Sequence, residues 1–348
     1  MSAHAGDSDK TGGIAPKRAA DFIHAVIQAN RTIYSEYIVE RLGETLHLKS
    51  TENWEKENAL PLPAQFLLLS AKMIESRGSG MNYRLMSLWP INKNNSPRTD
   101  FERSALQEVT GNPKQPIYGI IQSEGKWAYQ AVYPDIAVTK ACVECHNSHV
   151  KSEKKDYKRG DAMGGIVVTL PLGRYPDKDA AGQHLIPPEV VSDYVHAILE
   201  ADRTNYADHI VNRLQNKNIV YASEHWWEEN ALLLPAQFLL NASDLIKNSD
   251  LGLDFRLISL WPINKYNGPA NEFERRGLES VAANPLRPFI GQNRIGNKKF
   301  FQAIYPDLAV TPACISCHNA HPKSPKHDFK LYDVLGGILV ILPFDQGK

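Results

Sequence analysis

Glu57-Asn58-Ala59-Leu60-Pro61-Leu62-Pro63-Ala64-Gln65-Phe66-Leu67-Leu68 occurs twice in this chain. It returns as Glu229 to Leu240 with one change, Leu233 in place of Pro61. The offset is 172 residues, and the same offset aligns Ile14–Leu172 with Ile186–Phe344 without a gap. Of the 159 aligned positions, 75 are identical. Such a unit is too long for a solenoid repeat and reads as a duplicated whole domain. Two domains are expected, 14–172 and 186–344. They are joined by 173–185, where Pro176, Asp177, Lys178, Asp179 and Gly182 read as a solvated linker.

Outward from the quoted stretch, each copy follows one plan. Pro63 suits the first turn of a short helix that carries Phe66, Leu67 and Leu68. Upstream, Ala20–Leu42 has apolar residues at helical spacing and predicts an amphipathic helix of about six turns. Downstream, Tyr83–Trp89 reads as a strand closed by Pro90, and Phe101–Thr110 as a helix ended by Gly111 and Pro113. Ile117–Gln122 and Lys126–Tyr133 predict a hairpin turning at Glu124-Gly125, and Gly165–Leu170 a last strand. The elements do not alternate strand and helix regularly. The expected class is therefore α+β, an antiparallel sheet with helices on one side, rather than a doubly wound fold.

The 39 basic and 39 acidic residues cancel with histidines neutral, which argues against non-specific nucleic-acid binding, since that needs a basic footprint. No apolar run has the length of a membrane span; the longest, Gly336–Leu342, reads as a buried strand. Residues 1–13 are small and polar and show no leader.

All four cysteines lie in Cys142-Val143-Glu144-Cys145-His146 and Cys314-Ile315-Ser316-Cys317-His318, each expected in a loop. The spacing suits c-type haem attachment: two thiols add to two vinyl groups on one porphyrin edge, and the next histidine comes under the iron as proximal ligand. The expected cofactors are two covalently bound haems c, with Cys142, Cys145, Cys314 and Cys317 as tethers and His146 and His318 on iron. Such attachment happens outside the cytoplasm, so a periplasmic or extracellular protein with its leader removed is expected. A redox dithiol does not need a histidine beside it in both copies. A zinc site from all four cysteines would leave both histidines unexplained.

The opposite haem face is open. Methionine fails as a shared ligand, because Met73, Met81, Met86 and Met163 align with Leu245, Leu253, Ile258 and Leu335. No cysteine is spare. The paired distal candidates are His24/His196, on the polar side of the first helix, Arg31/Arg203 and Tyr34/Tyr206. His149/His321 recur too, but follow the proximal histidine by three residues. Tyr133/Tyr305 also recur. Candidates for the haem pocket are Phe66/Phe238, Arg84/Arg256 and Trp89/Trp261, each with an ordinary core or ion-pair role as the alternative.

The Leu-Pro-x-Pro-Ala-x-Phe stretch, Ser87-x-x-Pro90-x-Asn92-x-x-Asn95-x-Pro97 with Glu102 after it, and Tyr133-Pro134 before CxxCH carry a family resemblance. Over both copies the chain resembles the PAS-like c-type haem domains, long carried as a domain of unknown function. The resemblance implies a PAS-like antiparallel sheet flanked by helices, an N-terminal helix and an extracytoplasmic location. Members include free-standing cytochromes and sensor portions of membrane signalling proteins. Some place a cysteine on the distal side, and this chain departs there.

Three functions remain open. The leading one is electron transfer through two haems to redox partner proteins. The second is binding or sensing a small diatomic ligand such as nitric oxide or carbon monoxide. The third is a haem oxidoreductase acting on peroxide or nitrogen oxides, which would need an open iron and distal acid–base groups. A homo-oligomer stays open.

Overall fold

The structure is a computed structural model that describes residues 12–123, 125–173, 182, 184–295 and 298–346. Most of the expected linker, and Glu124 of the expected turn, lie outside the described residues. The first half contains α1 (Pro16–Ile33), α2 (Pro63–Ser76), β1 (Asn82–Met86), α3 (Asp100–Gly111), β2 (Ile117–Ser123), β3 (Lys126–Ile136), α4 (Lys140–Ser148) and β4 (Ala162–Pro171). The second half repeats them as α5 (Pro188–Asn205), α6 (Pro235–Lys247), β5 (Asp254–Ile258), α7 (Glu272–Ala283), β6 (Phe289–Ile295), β7 (Lys298–Leu308), α8 (Pro312–Ala320) and β8 (Val334–Gln346).

Each half is a four-stranded antiparallel sheet flanked by helices, in the order β1-β4-β3-β2 and β5-β8-β7-β6. Strand alternation sends side chains to two different cores. Ala131, Tyr133, Ile166 and Val168 join the large core beneath α1, whereas Val132 and Val167 pack with Met86, Leu106 and Val109 of the α3 side. Helices therefore cover both faces of the sheet, which corrects the one-sided expectation. The strands are buried on both faces, so β4 reads as a nearly continuous apolar run. Near its start, a Cβ on Gly164 would come within 2.3 Å of the Met86 carbonyl oxygen, so that strand contact requires glycine.

α1 begins at Pro16 and buries Ala19, Phe22, Ile23, Val26, Ile27, Asn30 and Ile33. It does not end at Ile33 but widens into a π-helical stretch, Tyr34–Glu40, before a last α-helical segment, Arg41–Leu46. α5 does the same through Tyr206–Asn212. The segment ends at His47, in the left-handed region at φ 54°.

The halves share one core, arranged about a pseudo-twofold axis. Equivalent residues meet each other: Ile14 and Ile186 exchange backbone hydrogen bonds of 2.8 and 2.9 Å. Asn30 donates to Asp202, and Phe66 meets Phe238 edge to face at 5.9 Å. Contacts off the axis occur twice. Arg41 donates to the carbonyls of Trp226 and Ala231, and Arg213 to those of Trp54 and Ala59. This reciprocity is what an isologous dimer interface produces, here within one chain. Gly12–Gly13 crosses over to pair with the end of β8 in the second sheet.

This shared core is where four sequence-derived candidates lie. Phe66 and Phe238 are fully buried between the halves, stacked on Tyr34 and Tyr206 at 4.3 and 4.6 Å. The tyrosine hydroxyls donate to the Pro61 and Leu233 carbonyls at 2.7 and 2.8 Å. All four rings are packed in the shared core, which is the ordinary-core alternative.

Candidate functional site

The CxxCH segments are helical, not loops: they form most of α4 and α8. Thr139 caps α4, its hydroxyl accepting from the Cys142 backbone at 3.3 Å and lying 3.2 Å from the Cys142 thiol. The helix changes what the spacing means. Cys142, Cys145 and His146 stand at i, i+3 and i+4, so both thiols and the imidazole project from one helix face. Cys314, Cys317 and His318 repeat the arrangement, and all four thiols are free.

The face is partly buried. Cys142 and Val143 pack on Ala137, Tyr157 and Met163; Cys314, Ile315 and Trp261 pack on Ala309, Phe329 and Leu335. Burial, then Glu52 and Cys142, pushes the Cys145 thiol up; burial, then Glu224 and Cys314, does so at Cys317. Among the described residues no group of three His, Cys, Asp or Glu side chains is arranged to hold a metal ion.

Each candidate proximal histidine stands edge-on to an aromatic ring, His146 to Tyr157 at 5.8 Å and His318 to Phe329 at 5.7 Å. Burial holds both imidazoles below the usual histidine range, with Asp135 and Asp307 opposing it. The neutral ring is the form that can coordinate iron. Asn147 secures the aromatic wall: it donates to the Tyr157 carbonyl at 2.9 Å and accepts from the Tyr157 amide at 3.0 Å. Asn319 makes the same pair of bonds to Phe329.

Sequence reasoning missed Asp135 and Asp307, although Tyr-Pro-Asp repeats at both places. At Asp135–Ile136 the register of β3 against β4 shifts, a bulge that re-aims the chain just before α4. Arg31 uses this corner, pairing with Asp135 at 2.6 Å and donating to the Ile136 carbonyl at 3.3 Å. Arg203 pairs with Asp307 in the second half. Of the distal candidates, the arginines are therefore brought to the strand that leads into the CxxCH helix.

His24 and His196 have a different setting. Each ring lies flat on a tyrosine, Tyr133 at 3.8 Å and Tyr305 at 3.9 Å, with a buried Nε2 that has no partner. The expected polar side of the helix is thus a helix–sheet contact. Tyr133 and Tyr305 are held there by donating to Asp21 and Asp193, both at 2.7 Å. His149 and His321 are occupied at both nitrogens. Each Nδ1 accepts a backbone N–H at 3.1 Å, and each Nε2 faces a carboxylate, Glu52 at 3.5 Å or Glu224 at 2.9 Å. A cleft of about 470 Å³ lined by Glu52, Ile91, Asn92, Lys93 and Lys151 opens beside His149.

The remaining pocket candidates divide. Trp261 lies in the cluster with Cys314, and a lysine lies over each ring, Lys154 at 5.5 Å from Trp89 and Lys326 at 5.6 Å from Trp261. Arg84 and Arg256 pair with Glu102 and Glu274, whose carboxylates also accept backbone N–H groups at the start of α3 and α7. They fasten helix to sheet, which is the ion-pair alternative.

A haem c fits the residues present: two free thiols and a neutral imidazole on one face, an aromatic edge, and buried polar atoms without partners nearby, including His318 Nδ1 and Arg31 Nη1. No described helix is long and apolar enough to cross a membrane.

The family model described as Tll0287-like matches the chain twice, over residues 15–171 and 189–343. No curated protein matches. A solved structure titled "Crystal structure of the cyanobacterial heme-protein Tll0287" is similar at 19% identity and a TM-score of 0.29. The match covers 45% of this chain and 96% of that one.

Proposed function

The chain belongs to the Tll0287-like family through both of its halves, and from that premise we propose that it is an exported dihaem c-type cytochrome that transfers electrons. Cys142 and Cys145 would tether one haem, Cys314 and Cys317 the other, with His146 and His318 as proximal ligands. The observation that carries this reading is the shared helix face of two free thiols and a neutral imidazole, present twice at equivalent positions. When bound, the haem supplies a one-electron iron couple. The chain's own residues tether the porphyrin, orient the imidazole against Tyr157 or Phe329, and shield the edge from water. Attachment outside the cytoplasm implies a periplasmic or extracellular place, and protein redox partners.

The test is a pyridine haemochrome spectrum with intact-protein mass after expression with a haem-attachment system. Two haems c per chain are expected. Zinc, or a chain with free thiols and no haem, overturns the reading. Binding of a small ligand at one haem is a second reading, favoured by the partnerless buried atoms around Arg31.

A further inference from the structure

Sequence identity between the halves hides a difference in polarity around the two CxxCH helices. In the first half, Arg31 Nη1, Ser35 Oγ and Thr51 Oγ1 are all shut away from solvent without a hydrogen-bond partner. Tyr157 lies against His146, and Thr51 precedes Glu52, which faces His149. Ser87 is within reach of the Tyr157 hydroxyl, and also donates to the Met163 carbonyl and accepts from the Trp89 amide.

The second half removes, satisfies or exposes these groups. Ser35 becomes Ala207 and Tyr157 becomes Phe329. Thr51 becomes Ser223, whose hydroxyl accepts from the His225 amide at 3.0 Å. Arg203 pairs with Asp307 as Arg31 does with Asp135, but its side chain is 16% exposed against 4% for Arg31.

Arg31 and Ser35 are one turn apart and fully or almost fully buried. Farther along the same helix, Glu40 accepts from the backbone of Lys140 at 3.2 Å. Ser35 is thus bracketed by residues that touch the two ends of the segment entering α4. The π-helical widening begins at Tyr34, and such widenings concentrate at functional sites. Buried donors without acceptors are costly, and an occupant with acceptor atoms relieves that cost.

We propose that the first half, and not the second, holds a binding place beside its haem for a small anion whose terminal atoms accept hydrogen bonds from Arg31 and Ser35. This rests on haem attachment at Cys142 and Cys145. The Asp135 carboxylate neutralises most of the guanidinium charge, so selection comes from hydrogen bonding more than from net charge. In the second half the Ala207 methyl offers no donor, and that haem stays a plain electron carrier.

The test is a titration of the full-length ferric holoprotein with azide, followed by visible and electron paramagnetic resonance spectra. One haem per chain is expected to bind at least about tenfold more tightly than the other, the size of one charge-assisted hydrogen bond. Ser35→Ala should weaken the tight phase by about tenfold, and Ala207→Ser should strengthen the weak phase. A Cys142→Ala/Cys145→Ala chain, which keeps only the second haem, should retain only the weak phase. Equal affinities at both haems, no azide binding at either, or a Ser35→Ala titration that superimposes on the parent overturns the proposal. A chain that carries no haem c fails earlier, in the haemochrome spectrum, and defeats the cytochrome reading instead.

Discussion

Asn30 and Asp202, equivalent residues of the two halves, meet on the pseudo-twofold axis, the Asn30 side-chain amide donating to the Asp202 carboxylate at 2.5 Å. Both are fully buried. Perfect duplication with aspartate would have set two carboxylates against each other here. Divergence at this one pair makes the contact complementary.

Asp202 nevertheless lowers stability at neutral pH. Burial pushes its carboxyl up to about 6, outweighing the hydrogen bonds of Ser70 and Asn30 that oppose the rise. The folded state therefore holds this proton more tightly than the unfolded state does. That contribution is complete below the unfolded value near 3.8 and is lost as pH rises through about 6. Asp202→Asn is expected to raise stability at pH 7.5 by about 1–3 kcal/mol and to gain nothing at pH 4. Urea unfolding at the two pH values checks this; an equal change at both removes the charge explanation.

His24 and His196 act in the opposite direction. Burial is the main cause that lowers them from 6.5 to about 3 and about 4. Folding excludes their protons, so each contribution is complete above 6.5 and is lost as pH falls toward 3 or 4. Each gives a slope of about 1.4 kcal/mol per pH unit inside its window. Two histidines outweigh one aspartate, so stability should rise with pH between about 4 and 6. Phenylalanine at both positions keeps a ring on Tyr133 and Tyr305 and removes the titration. The pH dependence of the unfolding midpoint should then weaken in this range.

Arg41 tests whether the halves stand or fall together. Its guanidinium lies 4.9 Å from the Trp226 ring and donates to two carbonyls of the opposite half. Arg41→Ala is expected to cost about 2–4 kcal/mol, from two charge-assisted hydrogen bonds and a cation–π contact. Tryptophan fluorescence during urea unfolding should remain a single transition at a lower midpoint. Two separate transitions would mean that the halves unfold independently.

Replacing Cys142 and Cys145 together by alanine should halve the haem c absorbance per chain, leaving the second site intact. Mass spectrometry of the intact chain should show the loss of one haem. Loss of both haems would show that attachment at the two helices is coupled.

Much of this fold is legible in the chain itself. The repeat implies two copies of one domain, and alternation in β3 together with the glycine pair in β4 marks a sheet. The helix breaking into π geometry at Tyr34 is not legible, because helical periodicity barely changes over one widened turn. CxxCH, expected in a loop, is helical in both copies, where the Thr139 hydroxyl caps α4 and Pro312 opens the first turn of α8. Phe66 is a candidate either for a haem wall or for an ordinary core, and the sequence does not show that its ring meets Phe238 of the other half.

What the sequence by itself determined is local or repeated: the duplication, and the spacing of two thiols and an imidazole. These depend on covalent distance along the chain, which a helix converts directly into a shared face. What only the tertiary structure decided is which distant groups meet. Arg31 reaches a strand corner 105 positions away, and Asn30 meets its own counterpart across the axis. Such contacts depend on how helices cross sheets and how the halves pack. Two halves with nearly half their residues in common can therefore present different polar surroundings to the same CxxCH helix.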